Sequence, residues 1–221
     1  MNENYPITDK FDLSREESVF YVKRNLVDYI WKSANMEGIL VTFPDTQMII
    51  DNMEVSGFKP DEIITINNLK HGWQLLLETL DYPTDYKLIS QLHSVIGSNL
   101  ILRPGSLRTI PVRISGTNGL PDMPIESVIK EEIDEILGNA CVTDRALSLA
   151  LYLMRKQIFS DGNKRTALLS ANHLLVSHGK GFLSIAQEHQ KAFLEMTKSY
   201  YESNDSQAVK HFLYDNCLYG F

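Results

Sequence analysis

Gln157-Ile158-Phe159-Ser160-Asp161-Gly162-Asn163-Lys164-Arg165 is a short polar stretch between two long runs of helical periodicity. Upstream, Leu147, Ala150, Leu151 and Met154 share one helix face behind Thr143, a residue type suited to an N-cap. Downstream, the spacing predicts a helix from Lys164 to His178, stopped by Gly179. The turn between them holds Gly and Asn, which tolerate positive φ. Such a turn gathers successive backbone N–H groups into one concavity, and the start of the following helix adds its partial positive charge. Lys164 and Arg165 in that first turn oppose the helix dipole, an arrangement that makes sense once an anion is bound. Asp161 supplies a hard oxygen suited to Mg²⁺ beside the same anion. A plain Gly-Asn turn with solvated charges satisfies the same spacing.

Working outward, most of the chain reads as helix. Ser14 and Glu17 have capping-box form, and Val19, Val22, Leu26 and Ile30 continue one helix to about Lys32. A second helix opens at Pro60-Asp61 and a third runs from Asp85 to about Gly97. Arg103–Pro124 breaks the pattern with four prolines and three glycines around the alternating run Thr109-Ile110-Pro111-Val112-Arg113-Ile114-Ser115. That composition predicts an extended flap or β-hairpin. Helical spacing resumes at Pro124 and runs to Gly138, and two short helices near 184–199 and 206–213 close the chain. The expected architecture is all-α with one small hairpin, organised as a single domain. Residues 1–58 form its N-terminal helical part, 59–183 its core and 184–221 its last helices.

Composition narrows the function. At 221 residues, 43% apolar and 22% charged, the chain has the make-up of an ordinary globular domain. A net charge of −7 argues against a nucleic-acid partner, which calls for a basic face. The two cysteines, Cys141 and Cys217, lack metal or disulfide-framework spacing. No apolar run is long enough to span a bilayer and the first residues are polar, so no membrane partner and a reducing cytoplasm are expected.

The loop resembles the Fic signature, His-Pro-Phe-x-(Asp/Glu)-Gly-Asn-Gly-Arg-x-x-Arg, and still more its Doc variant ending Asn-Lys-Arg-Thr-Ala. Phe159, Asp161, Gly162, Asn163 and Arg165 match the first, and Lys164, Thr166 and Ala167 match the second. Leu92-His93 and the segment 103–124 resemble the Leu-His and flap that precede the loop in that family. Ser33-Ala34-Asn35-Met36-Glu37-Gly38 resembles its Ser/Thr-x-x-x-Glu-Gly inhibitory motif, through Ser33, Glu37 and Gly38. The resemblance implies a Fic-fold helical bundle that binds ATP with Mg²⁺ and moves AMP to a hydroxyl of a target protein. It further implies Mg²⁺ at Asp161, and phosphates held by Gly162, Asn163, Lys164 and Arg165. The target strand would pair with the flap at Arg108, Thr109, Ile110, Val112 and Ile114. Self-inhibited relatives commonly associate, which leaves a homo-oligomer open.

Three departures qualify that implication. Gln157 stands where the family places its catalytic histidine, and a glutamine amide accepts no proton near neutral pH. Lys164 replaces the second glycine. In Doc-like relatives, which share this lysine, the nucleotide is reversed and the γ-phosphate moves. Leu168 occupies the position of the second arginine, the usual partner of the inhibitory glutamate, so Glu37 either pairs with Lys164 or Arg165 instead or does not inhibit at all. The expected function is therefore a nucleotide-binding protein with weak or lost transfer. A Doc-like kinase and a non-enzymatic adaptor that captures peptide on the flap are the alternatives.

Overall fold

The computed structural model describes residues 5–114 and 120–220. In chain order these form α1 (Arg15–Arg24), α2 (Leu26–Met36), α3 (Phe43–Ile50), α4 (Pro60–Glu78), α5 (Tyr86–Ile96), α6 (Glu126–Leu137), α7 (Val142–Lys156), α8 (Asn163–Ser177), β1 (Phe182–Leu183), α9 (Gln187–Ser203), α10 (Gln207–Asn216) and β2 (Leu218–Tyr219). The bundle is built around α8. Every residue from Arg165 to Val176 is buried, so this helix has no solvent face and no amphipathic stripe. On one side Ala167, Ala171 and Leu175 pack with Leu147, Ala150 and Met154 of α7 and with Phe193 and Leu213 of α9 and α10. On the other, Leu169 and Val176 join Ile30, Ile66, Leu76, Leu92 and Ile96 from α2, α4 and α5. Gly72 lets α4 approach α8 closely, because a Cβ there would fall 2.7 Å from Leu169 Cδ1.

Several boundaries differ from the sequence expectation for local reasons. The first helix breaks at Asn25, whose side-chain amide donates to Tyr21 O at 2.9 Å and competes with the backbone ladder. The chain turns and resumes as α2, which runs past Lys32 to Met36. Helix α3 was not anticipated, although Thr42 accepts from Asp45 N–H at 3.2 Å as an N-cap and Pro44 sits in the first turn. At α7 the cap is Cys141, while Asp9 accepts from the N–H of Thr143 at 2.8 Å. Helix α6 starts at Glu126, two residues after Pro124.

The small antiparallel sheet is also elsewhere. Phe182 pairs with Tyr219 and Leu183 with Leu218, and Asn172 of α8 anchors it by accepting from Leu183 N–H at 2.7 Å. Residues 111–114 are extended without ladder pairing among the described residues, and 115–119, the expected hairpin tip, lie outside them.

Candidate functional site

The α7–α8 loop is set by two left-handed residues. Gln157 terminates α7 at φ 48°, ψ 54°, and Gly162 opens α8 at φ 72°. Between them Ile158 and Phe159 turn into the core and are almost fully buried. Asn163 is helical. Its Oδ1 accepts from Phe159 N–H at 3.0 Å, and its Nδ2 donates to Phe159 O at 2.9 Å and Gln157 Oε1 at 3.0 Å. The Asn163 side chain is thus spent on shaping the loop. No side chain caps α8, so the amides of its first turn face the loop mouth.

His93 of α5 supports the loop from beneath. Its Nδ1 accepts from Gly105 N–H at 2.7 Å, which leaves the proton on Nε2 to donate to Asp161 O at 2.9 Å. The ring stacks on Phe159 with centroids 3.7 Å apart and planes 4° off parallel. Burial, more than the nearby Arg165 charge, pushes its pKa down to about 4, so the ring is neutral at pH 7. His93 therefore ties α5, the start of the flap and the loop together and has no free nitrogen for proton transfer. His173, bonded to Thr84 Oγ1 and Thr79 O, is likewise part of the scaffold.

The Gln157 amide is engaged too. Its Nε2 donates to Met154 O at 2.6 Å, satisfying one of the last carbonyls of α7, while Oε1 takes the Asn163 bond. Its backbone oxygen accepts from Arg108 Nε at 2.6 Å. Arg108, the donor in that bond, is 4% exposed, and its guanidinium also donates to Ile110 O, Pro121 O and Asp122 O at 3.1, 3.0 and 2.6 Å. Its side chain faces inward and clasps both stems of the flap. Ile114 is buried as well, whereas Thr109 and Ile110 are exposed and Val112 is half-buried.

Glu37 ends α2, which Gly38 closes at φ 83°. The carboxylate reaches the loop, with Oε1 3.2 Å from Lys164 Nζ and Oε2 3.9 Å from Arg165 Nε. Both of the cations left open as partners are therefore used. The contacts are ionic by distance without hydrogen-bond alignment, since Glu37 Oε1 and Arg165 Nε are buried and make no hydrogen bond. Arg165 Nη2 lies 3.5 Å from Asp161 Oδ2, and that carboxylate is mostly exposed. Ser33 stands one turn before Glu37 on α2 and lines a separate cavity behind the loop.

The loop opens on a pocket of about 430 Å³ lined by Glu37, Gln157, Asp161, Gly162, Asn163 and Lys164. Arg165 does not line it. Arg113 and Ile114 contribute from the flap, and Leu194, Thr197, Lys198 and Tyr201 from α9. The α9 residues were missed in the sequence, although their 194, 197, 198, 201 spacing marks one helix face. That face mixes apolar, hydroxyl and cationic residues where a core face would be uniformly apolar. Burial pushes the Tyr201 phenol up, so it stays protonated as a donor. Among the described residues no histidine lines the pocket, and no cluster of three metal-binding side chains exists. The size falls in the range of small-ligand pockets.

Residues 83–175 match the model of the Fic/DOC family. The fold is similar to that of Fic-1 (residues 134–508) from C. elegans, at a TM-score of 0.75 and 18% identity over 90% of this chain and 65% of that one. This chain thus spans about two thirds of the worm chain. A Fic domain-containing signaling protein from Bacteroides thetaiotaomicron is similar at a TM-score of 0.74 and 18% identity, covering 91% of this chain and 86% of that one. A Fic family protein from Desulfovibrio desulfuricans is similar at 0.72 and 14% identity, covering 90% and 68%. No curated protein matches the chain. No helix among the described residues is long and apolar enough to cross a membrane. The chain carries a Fic/DOC family segment at residues 83–175, set within the Fic fold.

Proposed function

We propose that the α7–α8 loop binds the phosphates of a nucleotide, ATP foremost, and that the chain is a weak or inactive relative of the protein adenylyltransferases. The observation that carries this reading is the uncapped start of α8, opening at Gly162 into a pocket of about 430 Å³ with Lys164, Arg113 and Lys198 on its walls. Backbone donors, a helix N-terminus and cations around one concavity are the recurring means of holding phosphate. Asp161 fits the part of a Mg²⁺ ligand only together with phosphate oxygens, since it is the loop's lone outward carboxylate and Mg²⁺ takes few protein ligands. Bound Mg²⁺ would neutralise phosphate charge. The chain's own residues would fix the loop through Asn163 and His93 and offer amides to the phosphates.

Proton removal is the missing capacity. Gln157 has both amide ends bonded and no imidazole shares its pocket, so a target hydroxyl arriving there meets no histidine base. Loss of a general base lowers rates by about 10²–10⁴. Glu37 opposes binding as well, because it holds the Lys164 charge that phosphate would otherwise engage. The target protein is proposed to dock along the exposed flap edge at Thr109 and Ile110.

Titration calorimetry with ATP or ADP plus Mg²⁺ tests the reading. Binding tighter than about 1 mM is expected, and the absence of heat at that concentration sinks the nucleotide assignment. Label moved from α- but not γ-labelled ATP separates AMP transfer from the Doc-like reaction.

A further inference from the structure

Behind the loop, on the far side of Arg165, lies a second cavity of about 20 Å³ between α2, α4, α8 and β1. That is room for one small species, since about 10–15 Å³ already holds a water. Two of its lining side chains are more than nine-tenths buried and carry polar atoms without partners. Tyr29, 4% exposed, has an unbonded Oη, and Arg165, 6% exposed, has an unbonded Nη1, while its Nε faces the Glu37 carboxylate at 3.9 Å. The Tyr29 ring is held at 5.2 Å between Trp73 and Phe182, so its hydroxyl has little freedom to seek another partner. The other strongly polar lining groups are engaged. Asn172 bonds Leu168 and Leu183, and Lys32 pairs with Asp28 at 2.6 Å.

The chemistry of the lining is one-sided. It contains two cationic residues, Lys32 and Arg165, and no carboxylate. Arg165 is a donor only, and burial keeps the Tyr29 phenol protonated and able to donate. An unpaired buried donor is expensive, more so when charged, and an acceptor-only species relieves both Tyr29 Oη and Arg165 Nη1. We propose that this cavity binds one halide-sized anion, chloride in ordinary solution, held by Tyr29 Oη and Arg165 and joining α2 to the first turn of α8. The site lies behind the nucleotide pocket and is joined to it through the Arg165 contacts with Glu37 and Asp161, which line that pocket.

Crystals of the full chain soaked in sodium bromide and measured at the bromine edge decide it. An anomalous peak within contact distance of Tyr29 Oη and Arg165 Nη1 is expected, lost or much weakened in Tyr29→Phe. The melting temperature should also be higher, by roughly 2–4 °C, in sodium chloride than in sodium gluconate of equal ionic strength, with the difference abolished in the variant. Density without anomalous signal identifies a water and overturns the proposal. A peak with no chloride-specific melting shift marks an adventitious ion only and overturns it equally. A shift and peak unchanged in Tyr29→Phe reject the assigned ligands.

Discussion

At Gln157 a left-handed backbone, an engaged amide and a family position coincide. The φ of 48° is uncommon outside glycine, asparagine, aspartate and histidine, so glutamine sits where histidine fits at least as well. Gln157→His should preserve the Arg108 bond, which is to backbone, while placing an imidazole at the pocket mouth. Incorporation of α-labelled ATP into the protein should rise by about 10²–10⁴-fold over the parent. An unchanged signal in a variant that still binds nucleotide would show that more than the base is missing. Arg108 makes the complementary prediction. Arg108→Ala removes a buried guanidinium with bonds to four carbonyls, and urea denaturation should show a loss of roughly 2–4 kcal/mol. Brief proteolysis should then cut first within 109–123. Phe159, Asp161, Gly162 and Asn163 were legible because a tight loop is encoded locally. The role of Arg108 was not, because nothing in a proline-rich stretch tells an outward arginine from one that clasps its own flanks.

Helix α2 and the loop meet through two ion pairs at one carboxylate, a contact between residues remote in sequence. The Ser33–Gly38 pattern marked Glu37, and Lys164 and Arg165 were the cations within reach of the loop. Which of them Glu37 meets depends on how α2 lies against α8, which depends in turn on the break at Asn25. Glu37→Gln keeps the shape and removes the charge. Nucleotide affinity should increase about 2–5-fold, the worth of a partly exposed pair, and the gain should shrink in high salt. Calorimetry at two ionic strengths measures both, and equal affinities for parent and variant would remove Glu37 as a brake. The same limit explains the missed elements. Strands of two residues have no period to read, and α3 announced itself only by a cap and a proline. The α9 face lining the pocket needed the third dimension to be joined to a loop over thirty residues earlier.

For the molecule as a whole, His93 sets an acid limit. Its folded pKa, about 4, lies below the ordinary histidine value near 6.5. Between those values the unfolded chain binds the extra proton and the folded chain does not, so stability is full above about pH 6.5 and falls as pH drops toward 4. The loss attributable to this ring approaches about 3 kcal/mol, and it is flat with pH below 4. Chemical denaturation from pH 7 to 4 should show this slope. His93→Gln, which can replace one of the two ring bonds, should lower stability at pH 7 and flatten the profile. A profile identical to the parent would show that carboxylates, not His93, govern the acid limb. The all-helical plan was readable from periodicity in α4, α5 and α7, whose faces are two-sided. In α8 it was readable mainly from length and the terminating Gly179, because a helix buried all round has no contrast.

That encirclement of α8 has a consequence for how the protein can be assayed. Amides from Leu168 to Val176 can exchange with solvent only when neighbours on both sides separate, so they should be the last to exchange. The amides proposed to hold phosphate at Gly162–Lys164 begin this same helix. A ligand gripping them therefore reports on the slowest-opening unit of the chain, and should slow exchange at the far end of α8 as much as beside itself. Occupancy of the loop and global integrity become one observable, readable in a single exchange experiment.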